Sequence, residues 1–219
     1  MTAVTLSAVI AMPPLTGRPR VRSVRLVALL AGAVVLFTAC GGDPPTAVGY
    51  FGELADELTG FSEAIAAQQE DYGKDLGDQL TELHDATDFG DLGAMSGFFD
   101  QAGELAIVKS ADLFSTAGAE LRGLMERLGR LEPPEELAVA HADLLTAGSG
   151  LVTAVPTATE TVRNLDSIDQ LEEALDGSEY ATAAQRFAIA CTNLADASAT
   201  AGVTVELNCP QPLIVAPVP

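Results

Sequence analysis

The chain has no tryptophan, three cysteines, two histidines and only two lysines. So few cysteines and histidines leave no spacing on which a four-ligand zinc site could be built. Neither histidine has a glutamate three residues before it, which excludes the Glu-x-x-His pairs that hold two irons inside helical bundles. There is no Gly-x-Ser-x-Gly turn and no glycine-rich phosphate loop. Carboxylates are plentiful, but acid–base catalysis needs a pair whose surroundings push their pKa values apart, and number alone does not supply that. Enzyme activity is therefore not expected, nor any cofactor or resident metal. Aromatic residues make up 5% of the chain, so a core must be built mainly from Leu, Ala and Val.

Positive charge is also scarce, with 11 Lys and Arg against 31 Asp and Glu among 219 residues. All 31 acidic residues but only 7 of the 11 cations follow Cys40, which leaves that part with a net charge of -24 (7 minus 31). Such a surface repels nucleic-acid phosphates and anionic lipid headgroups. Nucleic acid is not expected as a partner, and charge cannot be what holds the protein to a membrane. Most of these acids read as a solvated, solubilising face. Nine arginines against two lysines, with abundant Ala and Gly, point to a high-GC genome.

The four remaining cations, Arg18, Arg20, Arg22 and Arg25, form a cluster followed at once by the uncharged run Leu26 to Thr38. That is the order of an export signal. The run is thirteen residues long, whereas a membrane-spanning helix needs about 20. It ends in Leu36, Phe37, Thr38, Ala39, Cys40, Gly41 and Gly42. Small residues before a cysteine at this point resemble the lipobox of bacterial lipoproteins that signal peptidase II cleaves. The resemblance implies cleavage between Ala39 and Cys40, a diacylglycerol on the Cys40 thiol, and acylation of the new amino group with a fatty acid such as palmitate. The commonest form of the lipobox has leucine three residues before the cysteine; here Phe37 stands there and Leu36 one place further back. The alternative is an ordinary signal peptide, or an uncleaved anchor, with a coincidental cysteine. Two or three acyl chains anchor stably where one is marginal. Residues Met1 to Ala11 carry no charge and do not fit the positive leader, which points to Met12 as the true start.

Beyond Cys40 the chain divides simply. Residues 40–46, with Pro44 and Pro45, read as a lipidated tether. From Thr46, Phe51, Leu54, Leu58, Phe61, Ile65, Tyr72, Leu76, Leu80 and Leu83 recur at spacings that predict one long amphipathic helix, with Gly73 and Gly77 as its weak points. Asp85 to Gly93 reads as a connection. A second helix carries Met95, Phe98, Leu105, Leu113, Leu121, Leu128 and Leu131 and is expected to stop at Pro133 and Pro134. Pro134 should open a third helix through His141, Leu151 and Leu165, which Pro156 should kink or split. Ser167 and Gln170 make a capping-box pattern for a short helix ending near Gly177. Ser178 caps a last helix that should stop at Gly202. Val203, Val205 and Leu207 then alternate with polar residues in a short extended segment, and 210–219 is an uncharged, proline-rich loose tail. The expected fold is all-α: an antiparallel four-helix bundle of long helices, forming one domain over 47–209, with a short extended C-terminal segment.

Export permits disulfides, and with Cys40 assigned to lipid the other two cysteines form a pair. Cys191 lies about 16 Å before the end of the last helix, and seven extended residues after Gly202 reach roughly 23 Å. A Cys191–Cys209 bridge is therefore easy and would stabilise by about 3 kcal/mol. His141 sits on the apolar stripe of the third helix, either as a packed, hydrogen-bonded residue bracing the Pro-Pro turn or as a ligand or proton carrier. His84, near the end of the first helix, has Asp85 and Asp88 beside it. These could make a weak divalent-cation site, although no calcium-loop pattern is present.

Two stretches, Leu128 to Leu145 through Pro133, Pro134 and His141, and Cys191 to Cys209 through Gly202 and Val203, are similar to those of acidic helical lipoproteins of bacteria. With Tyr50 to Ile65 the likeness spans most of the chain beyond Cys40. It implies fold and location, brings no characterised activity, and carries over no functional residue. Three functions follow as expectations. The first is a non-enzymatic envelope protein, lipid-anchored at the extracytoplasmic face of the membrane, that presents helical faces to a protein partner. The second is a small-ligand or cation-binding module near His141 or Asp88, and the third an enzyme with a site assembled from scattered residues. A pocket at His141 with converging carboxylates would favour the second or third; a solid core with one exposed apolar strip would favour the first.

Overall fold

The computed structural model describes residues 45–209. The leader, Cys40 and the tail 210–219 lie outside them. The described residues are helical, with no strand among them: α1 (Ala47–Asp85), α2 (Leu92–Leu128), α3 (Ala138–Arg163), the short α4 (Leu171–Leu175) and α5 (Glu179–Thr200). A single 3-10 turn precedes α3 (Glu135–Leu137) and another precedes α4 (Ile168–Gln170).

Local chemistry sets most of the ends. Thr46 Oγ1 accepts from Gly49 N at 3.2 Å, Asp91 Oδ1 from Gly93 N at 2.7 Å and Ser178 Oγ from Ala181 N at 3.1 Å. Each caps a first turn whose amides have no partner inside the helix. At the end of α5, Gly202 takes φ +73°, Val203 N donates to Ser198 O at 2.9 Å and Gly202 N to Ala199 O at 3.1 Å. This is the paired closure that a left-handed glycine allows.

Helix α1 runs unbroken through Gly73 and Gly77, the one long helix expected. Other expected boundaries are corrected. Helix α2 ends at Leu128, five residues before Pro133, because the chain tightens there: Arg130 N and Leu131 N bond carbonyls three residues back. Proline therefore does not terminate it, and Leu131 turns in to pack against the core. Helix α3 begins at Ala138, after the 3-10 turn that Pro134 opens. It continues through Pro156 without splitting. Pro156 lies on the exposed face, where water can take the bond that its missing N–H leaves open at Val152. The capping box at Ser167 is also not made as expected, since Ser167 Oγ accepts from Asp169 N rather than from Gln170 N.

The direction of packing follows from which residues meet. Between α1 and α2 the partners are Glu57 with Arg127 (2.5 Å), Tyr72 with Ser110 (3.2 Å) and Asp75 with Lys109 (2.5 Å). As the number rises along α1 it falls along α2, so the two helices run antiparallel. Between α2 and α3, Gly118 lies against Val155 and Gly148 against Met125, again in opposite order. These glycines mark a close approach: a Cβ at Gly118 would stand 2.5 Å from Val155 Cγ1. Helix α3 also packs against α5. By length and composition Glu135–Arg163 could cross a membrane, but here α2 and α5 flank it. Phe51, Leu58, Phe114, Leu124, Leu144 and Phe187 are among the fully buried residues of one core shared by all four long helices.

The register has a consequence at the other end. Arg163, eight residues beyond Val155, comes level with Ser110, eight residues before Gly118. Helix α3 therefore stops where α2 still has its first turns to run. From Gly77 to Leu105 no residue is buried. The ends of α1 and α2 and their connection form a two-helix arm beyond the body.

Candidate functional site

The sequence-derived candidates fall in three places. Cys40 lies outside the described residues. Cys191 and Cys209 are bonded to each other, with their Cα atoms 5.7 Å apart. Cys191 is fully buried on α5. The chain turns at Gly202, and beyond it Val203, Val205, Leu207 and Cys209 pack on the core while Thr204, Glu206 and Asn208 are exposed. Asn208 Nδ2 donates to Thr59 Oγ1 at 3.2 Å. The segment thus lies between α5 and α1, held by the disulfide to one and a hydrogen bond to the other.

His141 is buried, and its Nδ1 shares a 2.8 Å hydrogen bond with the Tyr50 hydroxyl; the two rings meet edge to face. Its partner is on the first turn of α1, not in the turn at Pro133 and Pro134. Burial pushes the His141 pKa below its ordinary value of 6.5 and raises that of Tyr50 well above its ordinary 10.0. Both stay neutral near pH 7, which suits a shared hydrogen bond between buried groups. Among the described residues no carboxylate is hydrogen-bonded to His141, whose partner is Tyr50. The arrangement joins α1 to α3 through two buried polar groups that satisfy each other's hydrogen bond.

At the arm, His84 Nδ1 is 3.3 Å from Asp85 Oδ1, and both side chains are largely exposed. Asp88 is not brought in: its Oδ1 accepts from Gly90 N at 2.9 Å inside its own turn. Among the described residues no group of three or more His, Cys, Asp or Glu side chains is arranged to hold a metal ion. The His84 ring meets aromatics instead. It lies 4.8 Å from Phe89, which is 5.4 Å from Phe98, itself 5.4 Å from Phe99. Phe89, Leu92 and Phe99 are 41%, 77% and 63% exposed, well beyond what a core-facing stripe shows.

Sequence reasoning missed two things here. Tyr50 as the partner of His141 lies 91 positions away and leaves no local trace. The arm's aromatics did leave one: three of the eight phenylalanines fall between 89 and 99, in a stretch from 79 to 108 that holds no lysine or arginine. No protein-family model, no curated protein and no solved structure matches the chain.

Proposed function

We propose that the protein is a bacterial lipoprotein of the cell envelope, anchored through lipid on Cys40 at the extracytoplasmic face, whose helical body serves protein interaction without catalysis. The observation that carries this reading is the fate of the cysteines. Two of the three are bridged, and the third stands at the end of a positive-then-apolar leader, next to small residues. A disulfide is also the bond expected of a chain exported from a reducing cytoplasm. The neutral, mutually bonded Tyr50–His141 pair favours a packing role for those two groups, and the exposed apolar surface on the arm gives interaction a place.

On this reading the body is an antiparallel four-helix bundle made by α1, α2, α3 and α5, with α4 part of the α3–α5 connection. The opposite run of α1 against α2 and of α2 against α3 supports it, as does the contact of α1 with α3 through Tyr50 and His141. The likeness to acidic helical lipoproteins belongs to the same proposal. The test is membrane fractionation of wild type and Cys40→Ala. The wild type is expected in the membrane fraction after a high-salt wash, and the variant as uncleaved precursor without acyl chains. Acid-stable incorporation of labelled palmitate into the wild type alone would agree; equal labelling of both would overturn the anchor.

A further inference from the structure

The arm joins two properties that a solubilising surface does not combine. Its apolar groups are exposed: Phe89 and Phe99 both meet the Phe98 ring, His84 lies against Phe89, and Leu92, the first residue of α2, is exposed as well. Its charge is of one sign and is not compensated. Between 79 and 105 there are six carboxylates, Glu82, Asp85, Asp88, Asp91, Asp100 and Glu104, all exposed, and no lysine or arginine. Among the described residues none of the six pairs with a lysine or arginine, Asp85 meeting only His84, whereas the neighbouring Asp75 and Asp78 pair with Lys109 and Lys74. An apolar centre rimmed by negative charge is complementary to an apolar surface rimmed by positive charge. The same rim repels anionic lipid and a second copy of the arm, which bears the same charges. The arm is also displayed: α1 is 39 residues long, which sets the tip roughly 58 Å from Thr46 at about 1.5 Å per residue.

We propose that the tip of the α1–α2 arm is a docking surface for a protein partner that presents an apolar helix or groove bordered by lysine and arginine. Phe89, Leu92 and Phe99 enter the partner's apolar strip, and Asp85, Asp88, Asp91 and Asp100 meet its basic border. This deepens the interaction role proposed above and rests on it for the cellular setting, though the contact chemistry needs only the arm.

The test uses the full chain, purified in a neutral detergent, and a defined probe. The probe is an amphipathic peptide with leucines on one face, lysines on the other and a photoreactive group on the leucine face; its twin carries glutamate for lysine. Adduct positions are mapped by mass spectrometry. The lysine peptide is expected to label residues within 84–105. Labelling should fall at least tenfold in the triple variant Phe89→Ser, Leu92→Ser, Phe99→Ser. A similar fall is expected when Asp85, Asp88, Asp91 and Asp100 become Asn, while neutralising four exposed carboxylates elsewhere (Asp143, Glu173, Asp196 and Glu206) leaves it unchanged. Circular dichroism verifies that each variant is folded. Labelling scattered over the body, tip labelling that survives both sets of substitutions, or equal labelling by the glutamate twin would overturn the proposal. So would a tip labelled by a photoreactive phosphatidylcholine instead of the peptide, which would make it a membrane contact, or tip-to-tip crosslinks between copies. Acyl mass on Cys40 is read from the same samples. Tip adducts without acylation would overturn the anchor alone, and acylation without tip adducts would overturn the docking surface alone.

Discussion

Tyr50 and His141 hold each other neutral inside the body, and that gives the fold a pH dependence with a definite sign. His141 titrates at about 6.5 when exposed and lower when folded, so between those values the unfolded chain binds a proton that the folded chain refuses. Stability is full above about pH 6.5 and falls as the pH drops toward the depressed folded value, where the loss levels out. A fall in stability is therefore expected between about pH 7.5 and 5.5. His141→Gln, which can still bond the Tyr50 hydroxyl, should flatten that fall in urea titrations at the two pH values. An unchanged slope would mean that other groups carry it. Tyr50, held protonated by burial, works in the opposite direction: its share is present below about pH 10 and lost above it.

Among the elements, the close approach of α2 to α3 is the most exposed to error. Val155 is β-branched and stiff, so it cannot easily yield to a methyl group placed 2.5 Å from its Cγ1. Gly118→Ala is expected to cost about 1–3 kcal/mol by overpacking, even though alanine favours a helix more than glycine does. Chemical denaturation checks the sign, and a stabilised variant would contradict the packing. Reducing Cys191–Cys209 should add the mass of two hydrogens and lower stability by about 3 kcal/mol. The extended segment should then be the first part to lose hydrogen-exchange protection.

These elements also mark what was legible beforehand. Helical spacing and caps are local, so Thr46, Ser178 and Gly202 could be read from a few neighbours. The bridge could be read as well, because only two cysteines remained and the reach sufficed. The end of α2 was misjudged because a proline is visible in sequence, whereas the inward turn of Leu131 depends on a core assembled from distant residues. The arm was misread for a related reason. Leu80, Leu83, Met95 and Phe98 have the spacing of a buried stripe, but in a hairpin of two helices such a stripe meets one neighbour and stays half-covered. How far α3 extends along α2 decides this, and that is a matter of register.

At the scale of the whole molecule, charge and anchor form one argument. A body that carries -24 beyond Cys40 has no electrostatic attraction to an anionic membrane, so the proposed anchoring rests on the lipid rather than on charge. The central claim is therefore a claim about one atom, the sulfur of Cys40. Intact-mass spectrometry of the protein extracted from membranes tests it most directly. The expected species is a chain that begins at Cys40, carries a diacylglyceryl group with or without a third acyl chain, and is lighter by two hydrogens than its reduced form. A mature chain that begins elsewhere, or that carries Cys40 as a free thiol, would contradict it.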